Sequence, residues 1–475
     1  MTAKTYVALS ASLLTLISLS WPSVAYAHGV QGRADTPIPI EAFFAVGALV
    51  LVGSFVGLVF GWRQPKLASY QWREAPRFVS ALVLSPIVLW VLRIIVLAVF
   101  LVVLGAAAFG STSLGGNIAP LMVFVVWWIS LVPVSALFGN VWREVNPWVT
   151  IASLLRFAKN RPENPVPPWL GVWPAAVLIL VFAWLELVYP TPAEPRLIAA
   201  LIAVYSVGTL LAMKYYGTSP WLDHGEAFSV YTRLLALISV VEVRDGRLGF
   251  RPPFIAVTRV ANSPGMVGLI SVLIATVTYD GLSTSPFWKR RDVAATERLL
   301  DLGLNDFQAG VLIGTFGLLA SLAAFVIAYE GFSAWSARRA DWSYTSMGRV
   351  ARAFAHSLIP IAFAYFVAHY FTLFVFQSQD LVRLVSDPFG FDWDLFGTAG
   401  AQINFQLVSA ETIWAVQVIS IVVGHVIALA LAHDRALELG RTHREALRSQ
   451  TPMLILMVLL TVAGLWSLSA GMNAG

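Results

Sequence analysis

Long apolar stretches separated by polar, base-rich segments dominate this chain. About ten of the stretches reach bilayer length: 40–61, 82–108, 118–139, 171–189, 196–214, 264–283, 308–330, 352–377, 411–433 and 452–471. A hydrocarbon layer of ~30 Å needs about 20 residues of helix, and no open strand edge or unpaired backbone survives in lipid. The pattern therefore predicts an all-α fold, a polytopic transmembrane helix bundle whose main partner is the lipid bilayer.

The first 27 residues read differently. Lys4 precedes an apolar run from Tyr6 to Leu19, and Ala25-Tyr26-Ala27 is a small-x-small cleavage site. This predicts a signal peptide over 1–27 and a single membrane domain over 28–475, with His28 as the new amino terminus. An uncleaved first helix is the competing reading, disfavoured because the apolar core is short for a bilayer.

Composition sharpens the picture. Charged residues make up 12% of the chain and hydrophobic ones 58%, against about 25% charged in a soluble domain, so a water-soluble fold is excluded. The net charge of +5 reports loop topology before it reports a partner, and nucleic acid is not expected as one. There is no cysteine, which removes disulfides, thiolate metal sites, iron–sulfur clusters and cysteine nucleophiles.

Placing His28 outside fixes the orientation, and Lys and Arg content tests it. The loops that fall inside carry Arg63, Lys66, Arg73 and Arg77; Arg143, Arg156, Lys159 and Arg161; Arg338, Arg339 and Arg349; and Arg435, Arg441, Arg444 and Arg448. The loop 215–263 also falls inside, with five arginines. Of the outer loops, 109–117 has no base and 378–410 only Arg383, whereas Lys289, Arg290 and Arg291 dissent. The expected location is the bacterial cytoplasmic membrane, both mature termini outside. Within the inner loop, the stretch Glu226 to Val243 reads as a helix lying on the membrane surface, and the proline-rich run 160–168 as a stiff linker.

An ionisable side chain inside the bilayer costs at least a few kcal/mol and is by default functional or paired. Arg93, Glu186, Asp280, His369 and His425 qualify, with His356 and His433 nearer span ends. At ~1.5 Å per residue, Glu186, Asp280 and His369 lie roughly 22 to 26 Å above the inner ends of their spans. That is one level, on the side of His28. Imidazole with carboxylate suits zinc or copper, and a terminal His offers both amine and ring. His28, Asp280 and His369 are therefore candidate metal ligands, and a bound water there would supply hydroxide at neutral pH. Structural pairing (Glu186 with Arg93, Asp280 as a cap) and a proton or ion path compete.

His356, His425 and His433 form a second polar set in the inner half, suited to a relay or to helix pairing. Haem ligation is disfavoured: His356 and His369 are rotated by about 140° from each other, His425 and His433 by about 80°. His224-Gly225-Glu226 holds an H-x-E fragment, but the deaminase pattern needs cysteine ligands that the chain lacks.

Several segments together carry a resemblance. They are Ala27-His28-Gly29 with Pro37-Ile38-Pro39; Gly139-Asn140-Val141-Trp142-Arg143-Glu144-Val145-Asn146-Pro147-Trp148; His224-Gly225-Glu226-Ala227-Phe228-Ser229-Val230-Tyr231; Thr276-Val277-Thr278-Tyr279-Asp280-Gly281; His356 through His369-Tyr370; and Gly424-His425 through His433-Asp434-Arg435. In order and spacing, over nearly the whole chain, they resemble bacterial multi-pass membrane proteins labelled fenitrothion hydrolase. The resemblance implies hydrolysis of the P–O–aryl bond of an apolar organophosphate. If that hydrolysis is metal-assisted, the residues read above take these roles: His28, Asp280 and His369 bind the metal, Glu186 orients water, and Tyr279 or Tyr370 stabilises developing charge. A transporter or metal-handling permease, and an accessory subunit of a membrane complex, are the competing functions.

Overall fold

The computed structural model describes residues 40–67, 70–113, 115–342 and 347–472. The predicted signal peptide and His28 lie outside the described residues. All ten apolar runs appear as helices, in the expected order. Among the described residues, nine are long and apolar enough to cross a membrane: α1 (Ala42–Gly61), α2 (Arg77–Phe109), α3 (Ile118–Phe138), α5 (Pro195–Tyr216), α6 (Met266–Thr284), α7 (Asp306–Arg339), α8 (Gly348–Ser386), α9 (Ala410–Leu439) and α10 (His443–Ser467). The remaining one, α4 (Trp173–Leu187), has 15 residues. At ~1.5 Å each it is about 22 Å long, short of the hydrocarbon thickness.

Burial ranks the helices. In α6, 61% of the most apolar window is enclosed by protein, and in α8, 56%, whereas α2 has only 6% enclosed. The apolar residues of α2 therefore face lipid, and α6 and α8 form the centre, packed on one another and on α10. Close approach there depends on small residues. At Gly424 in α9 an added Cβ would sit 2.3 Å from Cβ of Ala364 and 2.9 Å from the carbonyl oxygen of Pro360. Gly424→Ala is expected to cost about 1–3 kcal/mol by overpacking the α8–α9 seam, read as a lower unfolding temperature; an unchanged temperature would show the seam to be loose.

The base-rich loops meet at one end of the bundle. Strand β1 (Arg73–Glu74) joins the antiparallel hairpin of β2 (Val241–Arg244) and β3 (Arg247–Phe250) in the order β1-β3-β2. Glu242 on β2 accepts from Tyr70, Arg244 and Arg259 and pairs with Arg251. Partial burial pushes its carboxyl up, but the hydrogen bonds from Arg244 and Tyr70 and the charge of Arg251 outweigh this and hold it below its ordinary value. Asp434, at the same end of α9, accepts from the Trp62 indole and from the backbone N–H of Lys66 and Leu67. The loop after α1 is thereby tied to α9.

Two expectations need correction. The stretch Glu226 to Val243 does not form one surface helix. Its helical part, Ala227–Ala236, is buried almost throughout, against α3 and α4, and the chain then turns into β2. Phe228, Val230, Tyr231, Leu234 and Leu235 are all buried, and so are Ser229 and Thr232, whose hydroxyls find partners in Asn146 and the Phe228 carbonyl, while Arg233 reaches outward to Asp223. The dissenting basic loop is not a loop: Lys289, Arg290 and Arg291 lie on the helix Pro286–Asp301, which has no buried residue and exposes Phe287 and Val293 beside its basic groups.

Candidate functional site

Asp280 stands one turn before the end of α6, and His369 and Tyr370 project from α8. The central pairing of these helices brings the three together. Nε2 of His369 lies 2.7 Å from Oδ2 of Asp280, and the Tyr370 hydroxyl donates to the same oxygen at 3.3 Å. A carboxylate bonded to one ring nitrogen fixes the imidazole's orientation and tautomer and leaves the other nitrogen to exchange a proton. Asp280 and His369 keep 20% and 25% of their side-chain surface accessible, so the pair has an open edge.

Glu186, near the end of α4, lies within electrostatic reach of Asp280, Tyr370 and Tyr231. Among the described residues its carboxylate accepts no hydrogen bond. It lines a cavity of about 20 Å³ together with Tyr231, Tyr370 and Thr276. A site of that size holds about one water molecule. Tyr231 comes from the buried helix Ala227–Ala236 and stacks on Trp128 of α3 with ring centroids 5.4 Å apart. Sequence reasoning missed both, because the helix was read as a surface element. No signal in the sequence placed it, since Ser229, Thr232 and Arg233 give the helix the composition of a surface element.

The other candidates go elsewhere. The Tyr279 ring packs edge-on against Trp288 at 5.8 Å, in an apolar cluster with Val188 and Leu318. Neighbours on a helix diverge by about 100°, which turns it away from the Asp280 pair. Arg93 donates to the carbonyl and carboxylate of Glu144, not to Glu186. It reaches the short helix Val141–Val145, so the expected Glu186–Arg93 pair does not form. His356 and His425 are buried, and each bonds through Nδ1 to a carbonyl of its own segment, Ala353 and Ile421. His433 contacts Gln450 Oε1 at 2.6 Å and the Trp62 carbonyl at 2.8 Å, joining α9 and α10 to the loop after α1.

Two segments prominent in the sequence, 139–148 and 224–231, form a polar clamp. Arg143 binds Asp223 through both terminal nitrogens, and Arg233 joins it. Glu226 is fully buried and accepts from Tyr205 (2.6 Å), Asn146 (3.1 Å), and the backbone N–H of Phe228 (3.2 Å) and Ser229 (2.7 Å). It caps the helix that carries Tyr231, so the H-x-E fragment supplies a structural cap.

A catalytic zinc needs about three protein ligands with an open position. Among the described residues no group of three His, Asp or Glu converges. Asp280 and His369 supply two, and their facing atoms are hydrogen-bonded to each other; His28, the third expected ligand, is outside the described residues. Comparison with protein families, with curated proteins and with solved structures finds no match for this chain.

Proposed function

We propose that the protein is a membrane-embedded hydrolase of apolar phosphotriesters in which Asp280 and His369 activate water. The observation that carries this reading is the 2.7 Å contact between His369 Nε2 and Asp280 Oδ2, a carboxylate–imidazole dyad set in an apolar bundle. The resemblance to fenitrothion hydrolases supplies the substrate class. Basic loops gathered at the opposite end support an orientation in the cytoplasmic membrane with the dyad toward the exported side and both mature termini there.

Asp280 holds the proton on Nε2, leaving Nδ1 of His369 as general base. It takes a proton from water as the water oxygen bonds to phosphorus and the P–O–aryl bond breaks. The aryloxide leaves and recovers the proton from the imidazolium, giving a phosphodiester and a phenol. Glu186 orients water through the cavity it lines. The ester, which partitions into lipid, meets the dyad at its open edge, because a cavity of about 20 Å³ admits water and no aryl ester. Tyr370 is spent on Asp280 and steadies the carboxylate.

The test is nitrophenolate release from a nitrophenyl phosphotriester by purified protein in liposomes. Hydrolysis above the liposome background is expected, and its absence would overturn the reading. Incubation with a chelator of divalent metals is expected to leave the rate unchanged. Loss of activity restored by zinc or copper would assign the water to a metal held by Asp280, His369 and a third ligand such as His28.

A further inference from the structure

Helices α4 and α7 both pack against α6 and meet each other toward the end of the bundle away from the basic loops. There the Trp184 indole donates to the Thr315 hydroxyl at 2.8 Å, and Val188 packs beside Gly314. Toward the base-rich end the two helices diverge, and an apolar groove of about 500 Å³ opens between them, floored by α6. Its lining on α7 runs from Leu322 to Glu330, ~12 Å at ~1.5 Å per residue. Trp173 and Val177 of α4 form one wall and are 48% and 54% exposed, so the groove is open to lipid along its side.

The mouth of the groove at the base-rich end is charged. Ser263, Pro264 and Gly265, where the long loop enters α6, line it together with Glu330 of α7 and Arg352 at the start of α8. Glu330 is half-buried and Arg352 exposed. The carboxylate lies within electrostatic reach of the guanidinium, yet among the described residues the two make no ion pair and Glu330 accepts no hydrogen bond. A half-buried carboxylate needs a donor. The groove thus presents an acceptor for a cation, a fork for an anion and an apolar trough beneath both.

We propose that the groove seats an acyl chain of a bilayer phospholipid with a primary-amine headgroup, its ammonium on Glu330 and its phosphate on Arg352. A guanidinium matches phosphate through paired N–H groups. A primary ammonium donates to the carboxylate, whereas a quaternary choline has no N–H to give and a glycerol headgroup brings no cation. The lipid enters sideways past Val177, with Trp173 at the level where indoles settle in the membrane interface. The groove shares no lining residue with the cavity beside Glu186, so the proposal does not rest on the hydrolase reading.

Purified protein is incubated with equal amounts of phosphatidylethanolamine, phosphatidylcholine and phosphatidylglycerol of identical chains, and native mass spectrometry reads the retained lipid. Wild type is expected to prefer phosphatidylethanolamine over either competitor by about five- to tenfold, the worth of one charge-assisted hydrogen bond at a half-exposed site. Glu330→Gln keeps the shape of the mouth and is expected to bring phosphatidylethanolamine level with phosphatidylcholine. Arg352→Gln is expected to lower retention of all three lipids. Val177→Trp does the same by narrowing the groove from its open side, where the larger ring meets no buried wall. Equal retention of phosphatidylethanolamine and phosphatidylcholine by wild type would overturn the proposal. So would an undiminished preference in Glu330→Gln, or wild-type lipid retention in Arg352→Gln or Val177→Trp.

Discussion

Replacing His369 by alanine is expected to slow phosphotriester hydrolysis by about 10²–10⁴-fold, the contribution of a positioned general base, in a protein that remains folded. The side chain keeps a quarter of its surface accessible and has one strong partner, Asp280. Its removal leaves a small gap at the edge of the α6–α8 pair, and Asp280 keeps the Tyr370 hydroxyl. Glu186→Gln is the milder companion. It retains the shape of the cavity wall and is expected to slow turnover by less than His369→Ala, because it positions water without taking the proton. Comparable losses for both would shift the base assignment to Glu186.

The largest expected effect on stability belongs to Glu226. Four donors converge on its buried carboxylate, two of them backbone N–H groups at the start of the helix Ala227–Ala236. Glu226→Ala leaves those groups without their acceptor at a fully buried position. Each buried donor left without an acceptor costs about 1–3 kcal/mol, so several together lie far above the ~1 kcal/mol of an exposed cap. Thermal unfolding in detergent reads this as a large drop in midpoint. Glu226→Gln keeps an acceptor and is expected to lie between the two. A Glu226→Ala protein as stable as wild type would mean that the clamp between 139–148 and 224–231 does not hold the buried helix in place.

Bilayer physics made the helices legible: uninterrupted apolar runs of bilayer length have one stable solution, and all ten appear. Depth was legible too. Counting residues along straight spans placed Asp280 and His369 at one level, and the two side chains touch. Rotation about the helix axis was not legible, because it depends on which helices are neighbours. Tyr279 and Asp280 are adjacent in sequence, yet one faces Trp288 and the other His369. The same limit applied to Arg93, whose partner Glu144 lies on a short helix that no apolar run announces. Tyr231 was missed for a different reason. Ten residues are too few for a span, and a short apolar helix between basic segments has the composition of a surface element; only its packing against α3 and α4 separates the two cases. The metal reading turns on convergence of three ligands, a tertiary property, and two of the three are in view.

The central claim is that Asp280 and His369 act as one unit on water, and a double substitution tests it most directly. Rates of nitrophenolate release are compared for Asp280→Asn, His369→Ala and the protein carrying both. Groups that work as a unit are not additive, so the double variant is predicted to be no slower than His369→Ala alone. A double variant slowed by the product of the two single effects, or single variants that hydrolyse at the wild-type rate, would contradict the account.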